Sequence, residues 1–342
     1  MTNLVPVNAR ISDVTTLPSF PPLHRELTIR GFTIGHGSDI GGKTGVTVIL
    51  CPQGATAAAD VRGSATGTRQ FDSLVLAHHL ANQAHAVVLA GGSGFGLSCA
   101  DAVVEHLEAD GHGFDTGVGV VPLVPTAILF DLAFGDSRAR PTRDLVEAAI
   151  TVADRGPVEC GSVGAGTGAT VGKALGPPNG MKGGFGFASF TVEGGVTVAA
   201  AVAVNAVGDV QDPDTGAVLA GCRTGPDSLE LAGAKRIFAA MPPEVEHPWD
   251  SNTTLAVVLT DADLGKVDLR KVCEMAFGGL YRTAVPSVSM YDGDLVAALA
   301  TGRVPAHVHQ VGVLAEQAIG QAIATAVREA DGFGLLPAWR DL

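Results

Sequence analysis

Short apolar runs bounded by glycine set the tightest limit on this fold. Gly45-Val-Thr-Val-Ile-Leu50 and His85-Ala-Val-Val-Leu-Ala90 are apolar, rich in β-branched residues and lack polar alternation. That pattern predicts strands buried on both faces, which requires a packed layer above and below each of them. Gly186–Val192 and Val196–Asn205 flank Glu193-Gly194-Gly195, a hairpin signal. Leu255-Ala-Val-Val-Leu259 follows a proline-punctuated stretch, Pro242–Pro248, that no helix or central strand tolerates, and a further strand is predicted near Asp292–Ala300. Helical spacing predicts helices at Leu97–Ala109, Arg143–Asp154, about Asp227–Met241, about Val267–Tyr281 and about Gln310–Ala330. Helices segregated among strands, rather than in strict alternation, predict an α+β protein of two packed sheets with helices outside.

Composition narrows the function. Lys plus Arg number 22 against 35 Asp plus Glu, a net charge of −13, which argues against binding nucleic acid. Only 17% of residues are charged while 46% are hydrophobic, so much surface must be hidden in a large interior or in subunit contacts, and an oligomer is expected. The five cysteines show no C-x-x-C spacing and suggest neither a disulfide framework nor a zinc site. The first ten residues lack a basic-then-apolar leader, and the apolar stretch Val118–Phe130 is interrupted by Pro122 and Pro125. No membrane association and a cytoplasmic location are expected. Residues 1 to about 28, with four prolines, read as an arm over the body or over a neighbouring subunit.

Several tempting motifs fail on context. Gly37-Ser-Asp-Ile-Gly-Gly-Lys43-Thr44 fits the phosphate-loop pattern, but a strand follows it where that loop needs a helix N-terminus. A hairpin turn is expected there, and the nucleotide-binding alternative ranks below it. Gly164-Ala-Gly-Thr-Gly-Ala169 has the letters of a dinucleotide fingerprint without room for a crossover helix. Ala90–Leu97 joins a strand to a helix without the spacing of a nucleophile elbow. The ten histidines form neither a triad nor a metal-ligand spacing.

Asn252-Thr253-Thr254, at the entry to the strand starting at Leu255, is the informative segment. A hydroxyl there becomes an N-terminal nucleophile if the chain breaks before it. The freed α-amine, with an ordinary pKa of about 7.7–8.0, then serves as base for its own hydroxyl, without histidine, metal or organic cofactor. Taken alone, threonines at a strand entry are commonplace.

The segments Thr44–Val48, Asp60-Val-Arg-Gly63, Leu89-Ala-Gly-Gly-Ser93, Ala127-Ile-Leu-Phe-Asp131, Val163–Gly166, Ala203-Val-Asn205, Asn252–Thr254 and Asp292-Gly-Asp294 together resemble the N-terminal nucleophile hydrolases of peptidase family S58. That family includes D-stereospecific aminopeptidases, β-peptidyl aminopeptidases and endo-type nylon oligomer hydrolases. The resemblance covers the chain from about Gly35 onward. It implies an αββα four-layer sandwich, one domain self-cleaved into residues 1–252 and 253–342, and assembly of several αβ units, a homotetramer being expected. It also implies that Thr253 is the nucleophile, with Ser251 and Thr254 as rivals, and that the cut falls after Asn252. Asn205 would hold the oxyanion, Lys173 would supply positive charge with Lys182 as its competitor, and one of Asp292 and Asp294 would orient the Thr253 amine or hydroxyl while the other is held by its neighbour. Two departures bear on substrate. Asp292-Gly-Asp294 stands where the aminopeptidases carry Ser-x-Glu, which points to the nylon oligomer branch, and Phe130 stands where a tyrosine helps the oxyanion in relatives. The expected activity is hydrolysis of small peptides or of ω-amino acid oligomers such as 6-aminohexanoate chains. The alternatives are an aminopeptidase, acyl transfer to an amine as in the ornithine acetyltransferases, and an unprocessed scaffold.

Overall fold

The structure, a computed structural model, describes residues 19–242 and 252–342. Its organising strand is β2 (Thr44–Val61), 18 residues long and shared by both halves of the molecule. Its first part pairs with β1 (Thr33–Asp39) and β3 (Gln83–Ala90), and Thr56–Val61 pairs with β8 (Leu295–Val304). Between these parts the register slips, and Gly54 takes φ +79°, a conformation open to glycine, so the strand bends from one half to the other. The two expected sheets are therefore one. The order runs β5 (Gly184–Thr191), β6 (Thr197–Asn205), β7 (Thr253–Ala262), β8, β2, β3, β4 (Thr126–Ile128), folded so that its halves face each other.

Alternation along each strand builds three apolar layers. Ala199, Ala201, Val257, Leu295, Ile49, Val87 and Phe187 fill the space between the halves. Val198, Val202, Val258 and Ala298 face the other way, onto Phe277 and Leu280 of α4 (Lys266–Thr283) and Ile319 and Ile323 of α5 (Val308–Arg328). Val46, Val48 and Val88 face Val103 of α1 (Cys99–Ala109) and Val146 of α2 (Arg143–Val152). The result is α, β, β, α, and it accounts for strands apolar on both faces. Helix α5 sits so close to β5 that a Cβ on Gly186 would lie 1.9 Å from the Ala322 carbonyl oxygen.

The helix expected at Asp227–Met241 shrinks to α3 (Ala234–Ala239). Arg223, wholly buried, donates to the carbonyls of Pro178, Gly180, Pro226 and Ser228, which holds the residues before it in a loop. The helix starts only where Gly233 turns, at φ +84°, and Ala234 N–H meets the Asp209 carboxylate at 2.7 Å. At the phosphate-loop look-alike, β1 turns directly into β2, and the Lys43 ammonium folds onto the Ile40 carbonyl. Of the expected arm, Leu23–His24 pairs with β5 and Glu26–Leu27 with Gly156–Pro157; residues 1–18 lie outside the described residues, as does Pro242–Pro248 beyond Pro242. Among the described residues no helix is long and apolar enough to cross a membrane.

Candidate active site

Three distant segments meet at one end of the sheet. Strands β6 and β7 run antiparallel with Asn205 opposite Thr253, the last and first residues of their strands. Strand β8 runs parallel to β7, and just before that pairing begins Asn252 bridges to Asp292. The topology thus places Asn205, Asn252–Thr253 and Asp292–Asp294 side by side, all buried. Ser251 lies outside the described residues.

The Asn252–Thr253 peptide is held at its carbonyl. Its oxygen accepts the Gly293 N–H at 2.7 Å and also the Thr253 hydroxyl, while Asn252 N–H donates to the Tyr291 carbonyl at 2.8 Å. At the rival Thr254 the backbone N–H donates to Asp294 Oδ1 at 2.6 Å. The other oxygen of Asp294 accepts Val288 N–H at 2.8 Å. Asp292 accepts Val207 N–H at 3.1 Å and the Ser289 hydroxyl. Burial pushes both carboxyls up; Asp294, which also feels the Asp292 charge, rises to about 7. The two carboxyls therefore titrate as a pair.

The opposite side is cationic. Lys173 Nζ donates to the Asn205 backbone carbonyl at 3.1 Å and to Asn205 Oδ1 at 2.9 Å. Oδ1 also accepts Thr170 N–H at 2.9 Å, and Asn205 Nδ2 donates to the Phe130 carbonyl at 2.9 Å. Donors on one side and an acceptor on the other fix which way this amide points. One Nδ2 hydrogen is thus used by the Phe130 carbonyl. Lys182 does not reach Asn205. Its ammonium is fully buried and donates to the carbonyls of Gly166 and Ala169 at 2.8 Å and of Gly183 at 3.0 Å. Burial lowers its pKa to about 7, against the pull of Asp131. Of the two candidate lysines, Lys173 is the one in contact with the site.

A narrow cleft lined by Phe130, Phe134, Thr170, Lys173, Pro177 and Asn252 reaches this cluster. It adjoins a cavity of about 250 Å³ bordered by Phe134, Pro178, Leu335 and Leu336. Among the described residues no group of three or more His, Cys, Asp or Glu converges as a metal would need. Two participants, the Thr170 N–H and the Phe130 carbonyl, are backbone groups that no residue-type motif signals.

Residues 27–334 match the family model described as Peptidase family S58. The chain belongs to peptidase family S58. An S58 relative, an uncharacterised aminopeptidase of Mycobacterium leprae, is 37% identical, covering 93% of this chain and 94% of its own length. A 6-aminohexanoate-oligomer endohydrolase of Paenarthrobacter ureafaciens is 30% identical, over 80% of this chain and 74% of its own. Among solved structures, the L-aminopeptidase D-Ala-esterase/amidase of Ochrobactrum anthropi, described as a variant of the Ntn hydrolase fold, superposes with TM-score 0.65 at 18% identity, covering 91% of this chain and 89% of that one. A Burkholderia sp. beta-aminopeptidase gives 0.63 at 21%, over 88% and 85%. The four-layer arrangement is therefore the N-terminal nucleophile hydrolase fold, and this S58 member is an amide hydrolase.

Proposed function

We propose that the chain cleaves itself between Asn252 and Thr253 and then hydrolyses amides with Thr253 as an N-terminal nucleophile. The observation that carries this reading is the Thr253 hydroxyl lying against the Asn252 carbonyl, whose oxygen the Gly293 N–H holds at 2.7 Å. In self-cleavage the hydroxyl oxygen attacks the Asn252 carbonyl carbon, and Gly293 N–H stabilises the charge on its oxygen. The C–N bond breaks as the nitrogen takes a proton, leaving an ester. That break has already freed the Thr253 α-amine, and water then hydrolyses the ester, which releases the Asn252 carboxylate and restores the Thr253 hydroxyl.

Turnover repeats the chemistry on a substrate amide. The amine takes the hydroxyl proton, the oxygen attacks, and Asn205 Nδ2 donates its second hydrogen to the oxyanion. Lys173 strengthens that donor by drawing electron density towards Oδ1. The leaving amine departs protonated, and water releases the acid from the acyl-enzyme. Asp294, through Thr254 N–H, and Asp292, through Val207 N–H, fix the backbone on either side of the nucleophile.

The substrate class we assign is small linear peptides or ω-amino acid oligomers, the resemblance of Asp292-Gly-Asp294 to the nylon oligomer branch supporting the second. The M. leprae relative supports the alternative, an aminopeptidase. The reading extends to a cytoplasmic tetramer of αβ units formed by residues 1–252 and 253–342, without a cofactor.

Intact-mass spectrometry of the purified protein beside Thr253→Ala tests the nucleophile. The expected result is a fragment from Thr253 to Leu342 that the variant lacks; a fragment beginning at Ser251 or Thr254 moves the nucleophile, and an uncut, inactive wild type refutes the mechanism. Oligomers with free and acetylated N-termini then separate the substrate readings, since only an endo-acting enzyme cleaves the capped ones.

A further inference from the structure

Both ends of the Asn205 side-chain amide rest on peptide units, and behind each peptide unit stands a buried charge that the proposed chemistry does not use. The Thr170 N–H bonded to Oδ1 shares its peptide unit with the Ala169 carbonyl, and that carbonyl accepts the Lys182 ammonium at 2.8 Å. The Phe130 carbonyl that accepts Nδ2 belongs to the peptide unit whose nitrogen is that of Asp131. The Asp131 carboxylate is clamped in turn. Its Oδ2 accepts the Thr44 hydroxyl at 2.7 Å, and its Oδ1 accepts Gly92 N–H at 2.7 Å, so it is pinned to the start of β2 and the turn after β3. It has no room to move: a Cβ on Gly91 would lie 2.0 Å from Asp131 Oδ2, and one on Gly168 would lie 2.6 Å from Asp131 Cβ.

Isolated, each of these charges would be expensive to bury. Burial works against both, raising the Asp131 carboxyl and lowering Lys182 to about 7, while each favours the other's charged form and hydrogen bonds to backbone and hydroxyl satisfy both side chains. A cation on the Ala169 carbonyl polarises the peptide so that Thr170 N–H is a better donor to Asn205. We infer that Asp131 and Lys182 are a pair of positioning residues that set the orientation of the Asn205 amide through the Phe130 carbonyl and the Thr170 N–H. This rests on the oxyanion role proposed for Asn205. It also gives Lys182 a function distinct from that of Lys173, one exerted through the backbone and not on the substrate.

The experiment is a double-mutant cycle, with rates normalised to the processed fraction. Asp131→Asn and Lys182→Met are measured alone and in Asn205→Ala, with circular dichroism to confirm the fold. Thr44→Val, a near-isosteric change that removes one clamp on Asp131, replaces Asp131→Asn if that variant does not fold, and Lys182→Gln likewise replaces Lys182→Met. In the wild-type background Asp131→Asn should lower kcat by roughly 10- to 100-fold, less than the roughly 10²–10³-fold loss typical of deleting an oxyanion donor, with KM within about threefold. In Asn205→Ala the same change should alter kcat by less than about twofold, because its route of action is gone. Effects that multiply across the two backgrounds, or a loss confined to KM, overturn the inference while leaving the role of Asn205 intact. An Asn205→Ala enzyme with unchanged kcat removes that role, and the positioning pair with it.

Discussion

The two sides of the Asn205–Thr253 pair are both buried and polar, yet they are built in opposite ways. On the carboxylate side, Asp292 and Asp294 accept backbone N–H groups from β7 and its surroundings, and burial holds both above the usual carboxylate range. On the cation side, Lys173 and Lys182 donate to oxygens of loops and of Asn205. The carboxylate side fixes the backbone around Thr253, the proposed nucleophile, whereas the cation side fixes Asn205, the group proposed to donate to the developing negative charge. Damage to the first should therefore register in processing and stability, and damage to the second in turnover.

The cation side should give the largest effect. Lys173→Met removes a charge-assisted donor from Asn205 Oδ1, and kcat should fall by roughly 10²–10³-fold while intact mass shows the cut still made. A precursor that stays uncut would instead mean that Lys173 serves both steps. Next comes Gly293→Ala. Its Cβ would lie 2.7 Å from the Ala65 carbonyl oxygen and 3.0 Å from Thr253 Oγ1, displacing the donor held on the Asn252 carbonyl. Processing, followed by gel over time, should slow by about 10-fold or more, as when one oxyanion donor is weakened. Processing at the wild-type rate would remove Gly293 N–H from the mechanism.

The smallest effect is on stability against pH. Asp294 has a folded pKa of about 7, above the ordinary carboxylate value of about 3.9, so the folded state binds the extra proton. Its contribution is fully present below about pH 4 and is lost as pH rises through about 7. In the uncut Thr253→Ala background, thermal midpoints should therefore fall between those limits, and adding Asp294→Asn should flatten that fall by a few degrees. The slope that remains belongs to the other carboxyls that burial holds above their ordinary range, Asp292, Asp131 and Asp209 among them. An equally steep fall in the Asn variant would mean that Asp294 does not titrate in this range.

What the sequence made legible follows the same division. Apolar runs with no polar alternation announced β2, β3, β6 and β7 as doubly buried, and the long helical patterns placed α4 and α5 to within a few residues. Asp227–Met241 carries helical spacing too, but Arg223 draws its first half into a carbonyl cage, a tertiary contact that no local pattern encodes. The bend of β2 at Gly54 likewise depends on which strands pair with each part. Family motifs named Thr253, Asn205, Lys173 and the two aspartates, and the topology brings them together. The backbone groups of Phe130, Thr170 and Gly293 stayed hidden because a peptide N–H or carbonyl reads the same at every position.

The placement of β7 and β8 bears on what a broken 252–253 bond would do to the molecule. Both strands would belong to the C-terminal piece, yet β7 is flanked by β6 and β8 is flanked by β2, both from the N-terminal piece. Each product would be threaded through the hydrogen bonds of the other, so neither could leave without dismantling the sheet. Unfolding would then release two molecules where folding had begun from one. Refolding would become a bimolecular encounter, with an apparent midpoint that depends on protein concentration. The cut enzyme would persist by its slow unfolding rate, a one-way ratchet set at the moment of cleavage.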